Sequence, residues 1–427
     1  MTAYPEPLPA REPEFLCTVR DDSMGLLGHV VVHASIDGHA CGGLRMFDTV
    51  CVEELQDLAR SMTLKYGFSG MSQGGAKAGI VAPPEMSTER RRGLLFRFGQ
   101  LIAPLLRSGY YSPGPDMNTT AEDIEHLLSA AAVRSPGPRR GMGKKSGLYT
   151  GMSVMVAAEA VASVLQETLE GKTVAIEGFG AVGSALAMLM AKKKKARIVA
   201  ISTTQGAIYN AAGLDVNRLL VLRQSHGNNV VNAYDDADHI EMEELLLLDV
   251  DILSPCARRN SITKSNVDKV RARVVCPGAN NPVTLEAHAE LFRRGVIAVP
   301  HFIANCGGVI GNKAEVLGVD EEFVEEFIRQ RNLERLRSLI LRSREAGETM
   351  IEIALREASN SFDRMQRNAA RRSAGNRLRR AGLRAFNAGL VPKAVARSLA
   401  PWILGRTMES LLPPGGAENR QNVRFVG

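Results

Sequence analysis

The sequence predicts an α/β protein: an N-terminal α/β substrate domain over residues 13–147, a doubly wound Rossmann-like domain over 148–325, helices returning to the first domain over 326–365, and a helical basic extension over 366–427. Three observations predict it. From Tyr149 onward, short apolar runs alternate with helical periods, the pattern of right-handed βαβ units around a parallel sheet. A glycine turn, Gly178-Phe179-Gly180-Ala181-Val182-Gly183, directly follows one of those runs. Between the two halves, Ser135 to Gly147 is poor in apolar residues and rich in helix breakers, so it reads as a surface connection.

Within the first domain, His29 to Ile36 reads as a strand, and Leu55, Leu58, Ala59 and Met62 follow the i, i+3, i+4, i+7 spacing of an amphipathic helix. A Gly/Pro-rich loop runs from Tyr110, and Thr119 with Glu122 forms a capping-box pattern that starts the next helix. In the second domain the expected order is helix Met152 to Glu170, strand Thr173 to Glu177, helix Ala181 to Lys192 and strand Ala196 to Ser202. Further strands are expected at Val250 to Leu253, Arg273 to Cys276 and Val296 to Val299. Beyond Val316 the chain is mostly helical, with apolar residues at three and four spacing between Glu334 and Ala358.

With 427 residues and 45% apolar composition, the chain is long enough for two cored domains. Its six cysteines show neither CxxC nor Cys/His ligand spacing, so no metal site and no disulfide framework is expected, and a reducing cytoplasm fits best. The prolines and acids of the first fifteen residues do not suit a secretory signal, and no long apolar stretch predicts a membrane span. The net charge of +7 is concentrated late: no acid occurs between Asp363 and Glu409. Nucleic-acid or anionic-membrane contact by this extension is not expected, because such charge usually marks a solvated helix face.

In the glycine turn, Gly178 permits the tight bend, Gly180 lets a pyrophosphate approach the backbone, and Gly183 allows close packing of helix on strand. Unpaired N–H groups at the helix start then face the phosphates. A tight βα turn is the plain alternative, but the flanking strand and helix favour a dinucleotide. Where an acid would hold the ribose of NAD stands Thr203, with no arginine beside it in sequence, so NAD and NADP both stay open.

Three charged residues suggest chemistry. Lys65 falls on the edge of the apolar helix stripe, where the plain alternative is a lysine whose head reaches solvent. Lys77 lies among glycines in Gln73 to Gly79, where small neighbours would let a substrate approach; the Walker spacing is absent. Asp116 lies in the loop entering a helix and could be an ordinary capping carboxylate. Together they suit amino-acid oxidation: one ammonium holds the α-carboxylate, a second lysine of lowered pKa activates water, and the carboxylate moves protons at the amine.

The motifs Gly42-Gly43-Leu44-Arg45, Met62-Thr63-Leu64-Lys65, Gly74-Gly75-Ala76-Lys77, Pro115-Asp116-Met117, Gly178 to Gly183, Ser254-Pro255-Cys256-Ala257, Gly278-Ala279-Asn280-Asn281-Pro282 and Ala304-Asn305-Cys306-Gly307-Gly308-Val309 occur in order. Over about residues 20–360 the chain thereby resembles the glutamate/leucine/phenylalanine/valine dehydrogenases. The resemblance implies Lys77 and Asp116 as catalytic residues and Lys65 as the carboxylate anchor. It implies further substrate contacts at Cys41, Gly43, Thr150, Val309 and Asn312. Cofactor contacts are implied at Gly178, Phe179, Gly180, Ala181, Val182 and Gly183, and at Thr203, Cys256, Ala257, Asn280 and Asn305.

The same resemblance implies NAD or NADP as cofactor, an L-amino acid, 2-oxo acid and ammonia as reactants, and a homo-oligomer. Glutamate-specific members carry a lysine where this chain has Cys41, and a serine near Asn312, so an apolar or small side chain is expected. Glutamate itself is one alternative, and an enzyme-like regulatory protein with a nucleic-acid-binding tail is another.

Overall fold

The computed structural model describes residues 12–83, 85–133, 145–317, 319–371 and 395. Most of the predicted connection 135–147, and the basic extension past Arg371 apart from Val395, lie outside the described residues.

The first sheet is built from β1 (Phe15–Asp21), β2 (Leu26–Ala34), β3 (Ala40–Phe47), β4 (Gly74–Val81) and β5 (Tyr111–Pro115), in the order β1-β2-β4-β3-β5. β1, β2 and β4 pair antiparallel, whereas β3 runs parallel to both β4 and β5. Its helices are α1 (Val52–Ser69), α2 (Thr88–Leu101), α3 (Ala103–Ser108) and α4 (Ala121–Ala130). α1 lies across β4, β2 and β3, while Leu94, Leu95 and Phe98 of α2 and Ile124, Leu127 and Leu128 of α4 help close a separate apolar core.

The small residues of β4 exist for this packing. A Cβ on Gly75 would stand 2.3 Å from Thr63 N and Oγ1 and 2.6 Å from Ala59 O, so only glycine lets α1 settle on the strand. The segment around Lys77 is therefore a strand, and the glycine at 75 admits a helix where the sequence suggested room for substrate. The α4 capping box is also shifted by one from the expectation: it joins Thr120 and Asp123, because Thr119 instead donates to Leu44 O at 2.6 Å and accepts from Asp116 N at 2.9 Å.

The second half contains β6 (Thr173–Glu177), β7 (Arg197–Thr203), β8 (Gly206–Tyr209), β9 (Asp238–Ile240), β10 (Ile252–Pro255), β11 (Val274–Val275) and β12 (Ile297–Ala298), in the order β12-β11-β10-β6-β7-β8-β9. The first five of that order pair parallel, as expected for a doubly wound sheet. β8 and β9 add an antiparallel edge; at four and three residues they are too short to show a sequence period.

Its helices are α5 (Ser146–Val164), α6 (Ala181–Lys194), α7 (Val216–His226), α8 (Val230–Ala233), α9 (Met242–Leu245), α10 (Leu285–Arg293), α11 (His301–Ala304) and α12 (Gly307–Leu317). α13 (Glu321–Ala346) and α14 (Met350–Ala370) follow. α5 begins and ends six residues earlier than the sequence suggests; it ends at Val164, capped by Leu165, because Gln166 takes a left-handed φ of 58°. Its apolar character on every side reflects its place between α6, α12 and α13, where most of it is buried. α14 packs on α1, so the end of the described chain returns to the first sheet.

Gly75→Ala forces α1 away from β4. We expect a loss of about 1–3 kcal/mol in stability, the range for overpacked cores, seen as a lower urea midpoint at unchanged m-value.

Candidate active site

β3 and β4 run side by side, and the period of two along β3 puts Cys41, Gly43 and Arg45 on one face. A Cβ on Gly43 would lie 2.6 Å from Asp116 Cβ, so this glycine makes the seat for the carboxylate that follows β5. Lys77 Nζ stands 2.7 Å from Asp116 Oδ2, and Arg45 Nε reaches the same oxygen at 3.0 Å. Arg45 Nη1 continues to Glu54 Oε1 at 2.6 Å. The result is a chain of four charges, Glu54, Arg45, Asp116 and Lys77, in which Lys77 is 4% and Arg45 6% exposed.

Burial pushes the Asp116 carboxyl up, but the charges and hydrogen bonds of Lys77 and Arg45 outweigh it and hold the group well below the usual carboxylate range. Burial pushes the Lys77 ammonium down against the pull of Asp116. Lys65, near the end of α1 and 6% exposed, is pushed down to about 8 by burial and by the charge of Lys77. Its Nζ donates to Asn280 Oδ1 at 2.9 Å, and it has no ion-pair partner among the described residues. A buried cation facing only a neutral amide is suited to receive an anion.

Asn280 joins the two halves. Asn305 Nδ2 donates to Asn280 Oδ1 at 3.1 Å and to Ala279 O at 2.8 Å, which leaves Asn305 Oδ1 buried without a partner. Beside Lys65, Ser61 Oγ donates to Asn281 Oδ1 at 3.2 Å, and Arg259 meets Asp57 at 2.7 Å. Thr150 lies on the first turns of α5, its hydroxyl donating to Ser146 O at 2.8 Å, and a Cβ on Gly308 would meet that hydroxyl at 2.7 Å. On α12, Asn312 Oδ1 is also buried without a partner. Val309 and Cys41, with Met62, pack against the same apolar cluster as Met71 and Tyr66.

The dinucleotide turn has the mechanics its sequence requires. Gly178 has φ +92°, and a Cβ on Gly183 would stand 1.9 Å from Gly178 O, so neither position admits a side chain. At Gly180 a Cβ would meet nothing, which leaves open space before Ala181 and Val182 at the start of α6, where no side chain caps the helix. Phe179 is buried, its N–H donating to Ser202 O at 2.6 Å, and Gly178 N–H donates to Ser202 Oγ at 3.0 Å. Ala257 closes over Gly178, and Cys256 lies under Gly278, its thiol pushed up to about 12 by burial and hence protonated. The uncapped helix start, the open space at Gly180 and the orphaned Asn305 Oδ1 fit a dinucleotide with an amide-bearing ring. Thr203, the residue after Ser202 on β7, donates to Asn228 O at 2.6 Å.

Arg45, Glu54 and Ser202 help hold the candidate site together, and the sequence reading assigned none of them a role. The alternation on β3 could have found Arg45, since it shares a face with Gly43. Glu54 and Ser202 gave no local signal.

Two measurements test these electrostatics. The affinity for a simple carboxylate such as a 2-oxo acid falls as pH rises through about 8, because Lys65 loses the charge that holds it; affinity flat from pH 7 to 10 excludes Lys65 as the anchor. Arg45→Lys keeps one charge but cannot span Glu54 and Asp116, so Asp116 loses one of its two cationic partners and kcat falls about tenfold or more while KM changes little. A kcat unchanged in the folded variant excludes this positioning role.

Comparison with known proteins places the chain in a family. The family model described as glutamate/leucine/phenylalanine/valine dehydrogenase matches residues 141–375, and that for the dimerisation domain of the same enzymes matches 9–132. The chain is 35% identical over 294 residues to a glutamate dehydrogenase of Thermotoga maritima, covering 66% of this chain and 70% of the relative. It is 34% identical over 296 residues to an NADP-specific glutamate dehydrogenase of Saccharolobus shibatae, covering 66% and 69%. Among solved structures, a hetero-hexameric glutamate dehydrogenase of Thermus thermophilus in a leucine-bound form aligns with TM-score 0.72 at 25% identity, over 86% of this chain and 90% of that one. The L-tryptophan dehydrogenase of Nostoc punctiforme shares the fold, with TM-score 0.60 at 23% identity over 84% and 97%. With more than half its length matched by one model, the chain belongs to the glutamate/leucine/phenylalanine/valine dehydrogenase family and is an NAD(P)-dependent amino-acid dehydrogenase.

Proposed function

We propose that this enzyme deaminates an L-amino acid with an apolar or small side chain, using Lys65 as carboxylate anchor, Lys77 to activate water and Asp116 to carry protons. The unpaired, buried Lys65 beside the Lys77–Asp116 contact is the observation that carries this reading. Bound dinucleotide supplies the hydride acceptor. Lys65 ties down the α-carboxylate, which fixes the Cα–H toward the second domain. Asp116, hydrogen-bonded to Lys77, takes a proton from the substrate ammonium so that the nitrogen lone pair can form the C=N bond as hydride leaves. Lys77, biased toward its neutral form by burial, removes a proton from the water that adds to that bond, and Asp116 returns a proton to the departing ammonia. Asn280 and Asn305 would line the ring side of the cleft, and Thr150 would lie between ring and substrate.

Specificity rests on Cys41. Its thiol offers no positive charge for a side-chain carboxylate, and it packs with Met62 and Val309 against an apolar cluster. The proposed division is a substrate domain over 13–147, a dinucleotide domain over 148–325 and returning helices thereafter. A homo-oligomer is supported by the dimerisation-domain match, and a cytoplasmic setting by the free thiols of all six cysteines.

Screening the common L-amino acids with NAD and NADP at alkaline pH tests the substrate reading. We expect leucine-, valine-, alanine- or phenylalanine-like substrates to exceed glutamate in kcat/KM by about tenfold or more, the scale of one unmade charged contact. Cys41→Lys narrows that margin. A wild type that prefers glutamate overturns the assignment. Lys77→Ala and Asp116→Asn each lower kcat by about a thousandfold while dinucleotide binding persists, and near-wild-type turnover in either excludes the proposed role.

A further inference from the structure

Asp57, Ser61 and Lys65 stand four residues apart on α1, so they form one stripe along a single face of the helix. Each meets a different residue of the second half. Arg259 Nη2 donates to Asp57 Oδ2 at 2.7 Å, Ser61 Oγ donates to Asn281 Oδ1 at 3.2 Å, and Lys65 Nζ donates to Asn280 Oδ1 at 2.9 Å. The contacts are graded by depth. Ser61 and Lys65 are 4% and 6% exposed, whereas the side chains of Asp57 and Arg259 keep 50% and 42% of their surface in water. The ion pair therefore marks the mouth of the cleft, and the two buried contacts its floor.

Arg259 belongs to the loop Cys256 to Ile262 after β10, which is tied to Glu177, the residue before the glycine turn. Cys256 N–H donates to Glu177 O at 2.7 Å, and Ser261 Oγ donates to Glu177 Oε2 at 2.7 Å. The loop is tied equally to the asparagines, since Asn260 N–H donates to Asn281 O and Ile262 N–H to Pro282 O, both at 2.9 Å. Glycine turn, Arg259, Asn280 and Asn281 thus form one unit, and α1 faces it. The far end of α1 is fixed: Phe68 meets the ring of Phe302 edge-on at 6.4 Å, and the Arg335 guanidinium lies 4.1 Å from the Phe68 ring centre. Asp57 lies eleven residues before Phe68, about 16 Å along the helix at 1.5 Å per residue. The ion pair is therefore placed at the free end of a lever.

We propose that the Asp57–Arg259 ion pair is the latch of the cleft: it holds α1 against the second half over a bound dinucleotide and sets how fast the nicotinamide end can leave. Asp57 and Arg259 are positioning residues, which touch neither substrate nor the reacting atoms. The proposal rests on the dinucleotide reading of Gly178 to Gly183 and adds to it a control on release. A half-exposed ion pair changes an opening rate only by a factor of a few, and that modest strength suits a contact that is broken once per turnover.

Displacement of bound NADH, and separately of bound NADPH, by excess oxidised cofactor tests this in the full chain without turnover, followed by the fluorescence of the reduced ring. We expect Asp57→Asn and Arg259→Gln each to raise the dissociation rate by about twofold to fivefold, the range for an exposed ion pair. The double variant releases the cofactor no faster than either single one, because both substitutions remove the same contact. Raising salt from about 0.01 M to about 1 M speeds release from wild type more than from any variant, since screening weakens the pair. Release that is unchanged or slower in the single variants overturns the proposal and leaves the dehydrogenase reading standing. So does a double variant whose effect is the product of the two, or a salt response shared by wild type and variants. Failure of wild type to bind either reduced cofactor overturns the dinucleotide reading itself.

Discussion

The structure of this enzyme turns on a row of buried and half-buried charges that balances internally and on one buried cation outside the row. Glu54, Arg45, Asp116 and Lys77 alternate in sign, each within ion-pair distance of the next, so the row is neutral as a whole. Isolated charges removed from water would be strongly destabilising, and alternation with close hydrogen bonds is what makes such a row tolerable. Lys65 has only an amide oxygen to meet it. Its imbalance stands until a carboxylate arrives, so the site is built around the charge of its ligand.

That arrangement constrains the packing around it. The two lysines come from different elements, α1 and β4, and they approach only because the helix lies directly on the strand. Gly75 permits that contact, and Gly43 leaves room for Asp116 beside β3. The geometry of the candidate site and the core are therefore the same packing problem, and the small-residue strand β4 is among the most confined parts of the first sheet.

The cleft is joined by polar contacts on its far side. Lys65 to Asn280, Ser61 to Asn281 and Asp57 to Arg259 all run from α1 to loops beyond the parallel strands. One helix thus carries both the proposed carboxylate anchor and the contacts that join the two halves. On the proposed reading, a substrate held by Lys65 would sit at the junction that aligns it with the dinucleotide, which would couple substrate binding to the mutual placement of the halves.

The sequence by itself determined the fold class, the glycine turn and the charged trio, because hydrophobic period, turn chemistry and ordered motifs are local properties. Lys65, Lys77 and Asp116 were legible as residues that need a reason to be where they are. Their contacts were not, since the bond from Lys77 to Asp116 spans 39 positions and the one from Lys65 to Asn280 spans 215. The tertiary structure alone decided that Arg45 braces the acid and that the glycine at 75 receives a helix. Long-range register and helix seating set those neighbours, and no window of sequence contains both sides of such a contact.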